Sequence, residues 1–341
     1  MRVLVTGHTG YIGQVLVPML GEAGHDVTGF DTDFYGDCQF EAAPSMSGIR
    51  RDIRDATAAD LEGYDAVLFL AALSNDALGD LDPRLTYDIN RDATIRFARL
   101  AKEAGVPRFV FSSSCSLYGA GGDAPLTESA EMNPVTPYGT TKIEVEHALS
   151  ELAGSDFTPT YMRNATAYGV SPNLRIDIVV NNLTGYALTT GEVLLKSDGS
   201  SWRPLVHVED ISRAFLAVLE ADRDVVHDEA FNIGRTEENY RIRDVAEMVA
   251  GVVPDCRVEF AEGASPDLRN YRVDFEKIRA ALPAYKPTWT VAKGIEQLHG
   301  AYKAHGLTRD EFLSSRYVRI GTIKGHLAAE RLDGDFRWTS A

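Results

Sequence analysis

The run GHTGYIG, directly after RVLVT, constrains this chain more than any other stretch. A short β-branched run, a glycine-rich turn and a helical segment reaching about Gly24 form one strand–turn–helix unit. Gly7, Gly10 and Gly13 stand at the spacing GxxGxxG. The first lets the chain turn tightly, the second lets backbone approach a diphosphate, and the third lets helix pack on strand. An anion bound there faces the amide end of the helix. Pro18 falls inside that helix and is expected to kink or strain it.

The same rhythm repeats downstream. VTGFD makes a second strand that ends on Asp31. A carboxylate at that point accepts hydrogen bonds from the adenosine ribose of a dinucleotide and repels a 2′-phosphate, so NAD is expected rather than NADP. RRDIRD offers Asp52 and Ile53 to the adenine edge and face. DAVLFLAAL reads as a buried strand ending in small residues, suited to close backbone approach. Asn90 is expected to open a helix with Thr94, Phe97, Ala98 and Ala101 inward, ended by Gly105 and Pro107. RFVFSSS and TPTYMRN supply further strands. This alternation predicts an α/β fold, a Rossmann-like doubly wound parallel sheet, over residues 1–170.

From about Ser171 the rhythm breaks. EAFNIG reads as a strand returning to the main sheet, within a segment near 205–235, and DISRAFLAVLEA as an amphipathic helix with Ile211, Ala214, Phe215, Val218 and Leu219 on one face. The rest of 171–341 is expected to form a smaller mixed α/β lobe and a C-terminal helical tail. That tail, LTRDEF to GDFRW, carries no motif and is assigned to packing or oligomer contacts. A homodimer is the expected assembly.

Ser114, Tyr138 and Lys142 are the candidate chemistry. FVFSSS delivers Ser114 at a strand end, while Thr136 can cap a helix whose first turn takes Pro137. Tyr138 and Lys142 are then i and i+4 on one face. An ammonium beside a phenol favours phenolate, turning a weak base into a usable one. Such pairs also occur by chance on solvated helices, so their force depends on the cofactor and substrate features elsewhere.

Charge narrows the ligand. Thirty-four basic and fifty acidic residues give −16, which disfavours nucleic acid and anionic membrane. A phosphate-bearing ligand must then be held by local amides and a few placed cations. The three cysteines show no paired spacing, Met1 leads into VLV without a signal peptide, and no run is long enough to span a bilayer. A cytoplasmic protein is expected, and the eight scattered histidines predict no metal site.

Over about residues 1–300 the chain resembles the extended short-chain dehydrogenase/reductases, specifically the NAD-dependent nucleotide-sugar epimerase and dehydratase family. GHTGYIG is similar to its dinucleotide turn, RRDIRD to its adenine-side acid, FLAAL to its nicotinamide-side strand and NPVTPYGTTK to its tyrosine–lysine motif. NNLTGYA, WRPLVHVED and DLRNYRVDFEKI resemble three segments that hold a nucleotide diphosphate and shape a sugar pocket. The resemblance implies cofactor contacts at Tyr11, Ile12, Leu70, Ala71, Ala72, Asn90, Ser112 and Ala165, besides Tyr138, Lys142 and the residues above. It implies substrate contacts at Ser114, Thr166, Asn182, Lys196, Arg203, Arg269 and Tyr271.

Within that family the residues after the catalytic hydroxyl separate the reactions. The 4,6-dehydratases carry Asp and Glu there, the decarboxylases a Glu and the 3,5-epimerases a cysteine at the second position; here stand Cys115 and Ser116. FSSSCSLYG is instead similar to the UDP-galactose 4-epimerase type, whose chemistry needs only the serine, tyrosine and lysine. The resemblance thus implies an NAD-dependent epimerase inverting C4 of a nucleotide hexose through a 4-keto sugar. A 4-ketoreductase or 4,6-dehydratase on the same scaffold, and a non-catalytic NAD-binding regulatory protein, are the alternatives. The chain departs from the pattern at Ala264, where a second phosphate arginine is common and Arg269 is the replacement. Lys196 stands where the family has an aromatic base-stacking residue, Pro204 where it has an acid, and Thr166 where it has an asparagine. Tyr271, bulky at a position that sets room around the sugar, argues against a 2-acetamido group.

Overall fold

RVLVT becomes β1 (Arg2–Thr6), with Val3, Leu4 and Val5 fully buried. A strand apolar on both faces suits the middle of a parallel sheet covered by helices on each side. That is its place in the computed structural model, which describes residues 1–42, 47–265 and 269–339, less the side chains of 122, 123, 196 and 261–265. β2 (Asp26–Asp31) and β3 (Gly48–Arg50) lie on one side of β1. On the other side lie β4 (Ala66–Phe69), β5 (Arg108–Ser114), β6 (Thr158–Asn164) and β7 (Glu229–Ile233). The order is β7-β6-β5-β4-β1-β2-β3, parallel throughout. The winding reverses between β1 and β4, and a crevice opens beyond their carboxyl ends.

Side chains of alternate strand residues build two cores. Val3, Val5, Leu68 and Val110 join one, beneath α1 (Gly13–Glu22); Leu4, Val67, Phe69, Phe109 and Phe111 join the other, beneath α2 (Thr94–Glu103) and α3 (Pro137–Ser150). Pro18 lies inside α1, which runs on to Glu22 as one helix.

One helix boundary differs from expectation. Asn90 does not open the second crossover helix. Asp82 caps a helical turn over Pro83–Thr86, a π-helical stretch covers Tyr87–Ala93, and α2 follows directly. Asn90 is therefore interior to a longer helical rod. Its end is as expected: Gly105 takes φ +77°, and Val106 N–H donates to the Ala101 carbonyl.

The smaller lobe builds on α4 (Val179–Thr190), helices Ile242–Val252 and Val291–His305, and short sheets of two or three strands. One of these sheets joins Thr166–Tyr168, Trp202–His207 and Asn239–Arg241. α5 (Val208–Glu220) buries Ile211, Ala214, Phe215, Val218 and Leu219 in the α1-side core, and β7 follows it into the main sheet.

The C-terminal tail turns back onto the main sheet domain. Helix Arg309–Leu313 leads to α6 (Arg319–Ala328), and Ile323, Leu332 and Phe336 enter the same core as Phe30, Phe34 and Phe97. The His326 ring nitrogen lies 2.8 Å from the Phe34 carbonyl, and the Trp338 indole donates to the Thr32 carbonyl at 2.7 Å. The tail thus packs on the chain's own loop after β2. Among the described residues no helix is long and apolar enough to cross a membrane.

Candidate active site

A cavity of about 750 Å³ occupies the crevice, within the range of small-molecule sites. Its floor is the glycine turn. Gly7 sits at φ +71°, where a Cβ would come within 2.9 Å of the Ala71 nitrogen. A Cβ on Gly13 would fall 2.4 Å from the Gly7 carbonyl oxygen. Backbone therefore meets backbone where β1 and β4 end, and Thr6 Oγ1 accepts from Leu70 and Ala71 N–H at 3.0 and 3.1 Å. Gly7, Gly10, Tyr11, Ile12, Gly13, Leu70, Ala71 and Ala72 all border the cavity.

At the β2 end, Asp31 accepts from the Thr9 and Asp33 amides at 3.1 and 2.9 Å, which hold its carboxylate at the cavity edge. Asp52 and Ile53 also border it, but Asp52 is engaged by the Arg54 guanidinium at 2.7 Å. Asn90 is the expected cofactor contact that falls away from the cavity. Its side-chain amide accepts from Leu73 N–H at 2.8 Å and donates to the Leu73 carbonyl at 3.0 Å. Placed inside the helical rod rather than at its start, it spends both polar atoms pinning the loop after β4.

The catalytic candidates converge opposite that floor. Thr136 caps α3, accepting from Gly139 N–H at 3.2 Å, and Pro137 takes the first turn. Tyr138 and Lys142 then face the cavity with Ser114 and Ser112 from β5. Lys142 Nζ donates to the Ser112 carbonyl at 2.7 Å and lies 5.4 Å from the Tyr138 ring centre. Burial pushes Tyr138 up to about 12, the Asp76 charge adds to this, and the Ser114 hydrogen bond and Arg175 oppose it. Burial also lowers Lys142 to about 7, against the pull of Glu146. Desolvation thus penalises both charged forms, and the lysine does not by itself create a phenolate. Additional positive charge beside the phenol is required. Glu146 itself is anchored by Arg163 at 2.7 Å, both residues buried.

The substrate candidates border the same cavity. Thr166 opens a strand beside Ala165, and Asn182 on α4 donates to the Ile176 carbonyl at 2.9 Å. Arg203, buried, donates to the Trp202 carbonyl at 2.8 Å and to the Arg269 carbonyl, with its guanidinium 5.8 Å from the Tyr271 ring centre. Arg269 pairs with Asp76 at 2.6 Å. Tyr271 is buried, with its phenol raised by desolvation and hydrogen-bonded to Ser116. The Lys196 and Ala264 side chains lie outside the described residues. Cys115 is buried and its thiol donates to the Arg163 carbonyl at 3.1 Å; burial raises it, so it is inert.

Several cavity residues carry no motif: Tyr35, Asp76, Arg175, Asp177 and, from the tail, Phe312 and Arg319. Asp76 accepts from Thr136 Oγ1 at 2.6 Å as well as from Arg269, so it ties the helix cap of Tyr138 to the substrate side. The cap residue at Thr136 was visible in sequence, but its partner sixty residues away was not.

The model of the NAD dependent epimerase/dehydratase family matches residues 3–234 of this chain. The chain belongs to that family. The UDP-glucose 4-epimerase of Mycolicibacterium smegmatis is 31% identical over 310 residues, covering 86% of this chain and 96% of that protein. Among solved structures, MoeE5 in complex with UDP-glucuronic acid and NAD is similar with a TM-score of 0.77 at 27% identity, over 89% of this chain and 99% of its own. DesIV, the dTDP-glucose 4,6-dehydratase of Streptomyces venezuelae with NAD and TYD bound, has a TM-score of 0.77 at 24% identity, over 91% of this chain and 100% of its own. That last likeness is one of fold, and a fold does not choose the reaction.

NAD is the cofactor of the family, and the residues present fit it. The glycine turn is a cradle that a Cβ at Gly7 or Gly13 would fill, and the Asp31 carboxylate borders the cavity at the end of β2. Tyr35 and Asn164 line the cavity, and the buried Tyr35 hydroxyl and Asn164 Oδ1 have no hydrogen-bond partner within the protein. A ligand with ribose hydroxyls and phosphates supplies what these groups lack.

Proposed function

We propose that this chain is a nucleotide-sugar 4-epimerase that inverts C4 of a nucleotide hexose through a transient 4-keto sugar. The observation carrying this reading is the convergence of Ser114, Tyr138 and Lys142 on one cavity with Cys115 and Ser116, rather than two acids, following the serine. The glycine turn, Asp31 and the Ser112–Lys142 side of the cavity hold NAD. Bound there, NAD would supply the hydride acceptor and donor that the inversion needs.

The chain's own residues move the proton. Tyr138 oxygen takes the C4 hydroxyl proton and gives it back, and Ser114 hydrogen-bonds the same sugar oxygen as its charge changes. Lys142, anchored on the Ser112 carbonyl, keeps a cation within reach of the phenol. Arg203, Arg269 and Asn182 tether the nucleotide diphosphate, so the keto sugar can turn over without leaving.

A dehydratase reading has one observation in its favour, the carboxylate of Asp76 at the cavity. Both its oxygens already accept hydrogen bonds, from Thr136 and from Arg269, which favours a positioning role. Incubation with UDP-, GDP-, dTDP- and CDP-hexoses separates the readings. An isomer of equal mass without accumulated NADH is expected; loss of water or of carbon dioxide would overturn the epimerase.

Two binding variants are informative. Arg203→Ala is expected to weaken nucleotide-sugar binding by about 1.5–3 kcal/mol, the range for a charged hydrogen bond; an unaltered affinity removes Arg203 from the site. Asp31→Ala is expected to weaken NAD binding and narrow the preference for NAD over NADP, read by titrating both cofactors.

A further inference from the structure

We propose that the C-terminal tail clamps the diphosphate of the bound dinucleotide through Arg319, with the Tyr35 hydroxyl beside it. The inference rests on the NAD reading of the cavity and assigns a task to a segment without any recognisable motif.

Arg319 is the first residue of α6 and is 1% exposed, yet it borders the cavity. One arm of its guanidinium is used: Nη2 donates to the Asn173 backbone and side-chain oxygens. The other arm, Nη1, is buried with no hydrogen-bond partner. The guanidinium stacks 4.4 Å from the Tyr35 ring centre, and the Tyr35 hydroxyl is likewise buried and unpartnered. Two residues of the cavity lining thus each hold a buried donor without an acceptor. Leaving a guanidinium arm unbonded in a buried setting is costly, and an anionic oxygen is its natural partner.

Charge points the same way. Arg175 lies close enough that the two guanidiniums repel, and both bear on Tyr11 and Tyr35. The acid facing them is Asp177, which pairs with Arg175 at 2.9 Å and accepts from the Arg319 backbone N–H at 3.3 Å. Two cations against one carboxylate leave an excess positive charge, in a chain whose net charge is −16. Position names the ligand. Tyr11 belongs to the glycine turn and Tyr35 follows Asp31, so the cluster spans the path from adenosine ribose to turn. A dinucleotide running that way carries its diphosphate past Arg319. The substrate-side cations, Arg203 and Arg269, sit instead with Tyr271 and Asp76.

The test is calorimetric titration of the full-length protein, freed of nucleotide, with ADP, adenosine and UDP. Arg319→Gln is expected to weaken ADP about 10-fold or more, as for a lost charged hydrogen bond, with adenosine and UDP unchanged. Tyr35→Phe, which removes one oxygen and leaves the packing intact, is expected to weaken ADP in the same selective way. ADP affinity unchanged in both variants overturns the proposal. Equal losses for ADP and adenosine overturn it too, marking Arg319 as a packing residue, and a loss confined to UDP assigns it to the substrate's diphosphate. Failure of the unaltered protein to bind NAD or ADP overturns the cofactor reading itself and this proposal with it.

Discussion

Tyr138→Phe is expected to lower kcat for 4-epimerisation about 10²- to 10⁴-fold, the usual contribution of a positioned acid–base group, with little change in KM. The substitution removes one oxygen from a ring that stays packed at the start of α3, behind a cap supplied by Thr136. The residues proposed to tether the substrate's diphosphate, Arg203, Arg269 and Asn182, are unaltered. The pH profile is the second readout. Burial and Asp76 hold the phenol at about 12 in the protein alone, so the base form gains tenfold per pH unit from neutrality upward. The share of that base rises with pH, while loss of the Lys142 charge above about 7 opposes the gain, and the plateau falls below 12 to the extent that a bound nicotinamide cation stabilises the phenolate. The phenylalanine variant should show residual activity without this rise. Wild-type turnover in that variant would remove Tyr138 from the acid–base role.

Lys142→Met is expected to stabilise the fold at neutral and acidic pH while removing most of the activity. The native ammonium is held at about 7, against 10.5 for an ordinary lysine, because it is buried. Between those values the unfolded chain binds the extra proton, so unfolding free energy rises with pH across that window. The cost of the buried cation is complete below about pH 7 and is gone above about pH 10.5. Methionine keeps an unbranched apolar stem and leaves Glu146 paired with Arg163. A gain of a few kcal/mol near pH 6 that shrinks towards pH 10 is the expected signature in denaturant titrations. A methionine variant equally or less stable at pH 6 would show that the Ser112 carbonyl and the ring faces of Phe111 and Tyr138 already compensate the charge. Stability given up for a working cation is common at active sites.

The parallel sheet was legible because its signals are local. Val3, Leu4 and Val5 announce a strand buried on both faces, and Gly7 and Gly13 stand where a Cβ would strike backbone. Thr136 and Pro137 mark a helix start by their own chemistry, which is why Tyr138 and Lys142 come out on one face as expected. Asn90 shows the limit. Its sequence setting predicts a helix opener, but Asp82 caps the rod earlier and a π-helical stretch precedes α2. Its amide then meets Leu73, a partner across the loop that no periodicity describes. Asp76 carries no local signal for a related reason: its partners, Thr136 and Arg269, come from distant parts of the chain.

By itself, then, the sequence determined which strands are buried, where α3 starts, that a glycine turn follows β1, and that Tyr138 and Lys142 share one helix face. Each rests on contacts within a few residues, where steric and hydrogen-bonding rules act alone. Tertiary structure decided the electrostatics and the closure of the site. Tyr138 and Lys142 become a mutually desolvated pair only once β5 and the loop after β4 bury them. The tail reaches the cavity only because Ile323, Leu332 and Phe336 find the core beside Phe30 and Phe34. Hydrophobic burial carries no memory of chain separation, so a segment without a motif brings Arg319 to the cavity.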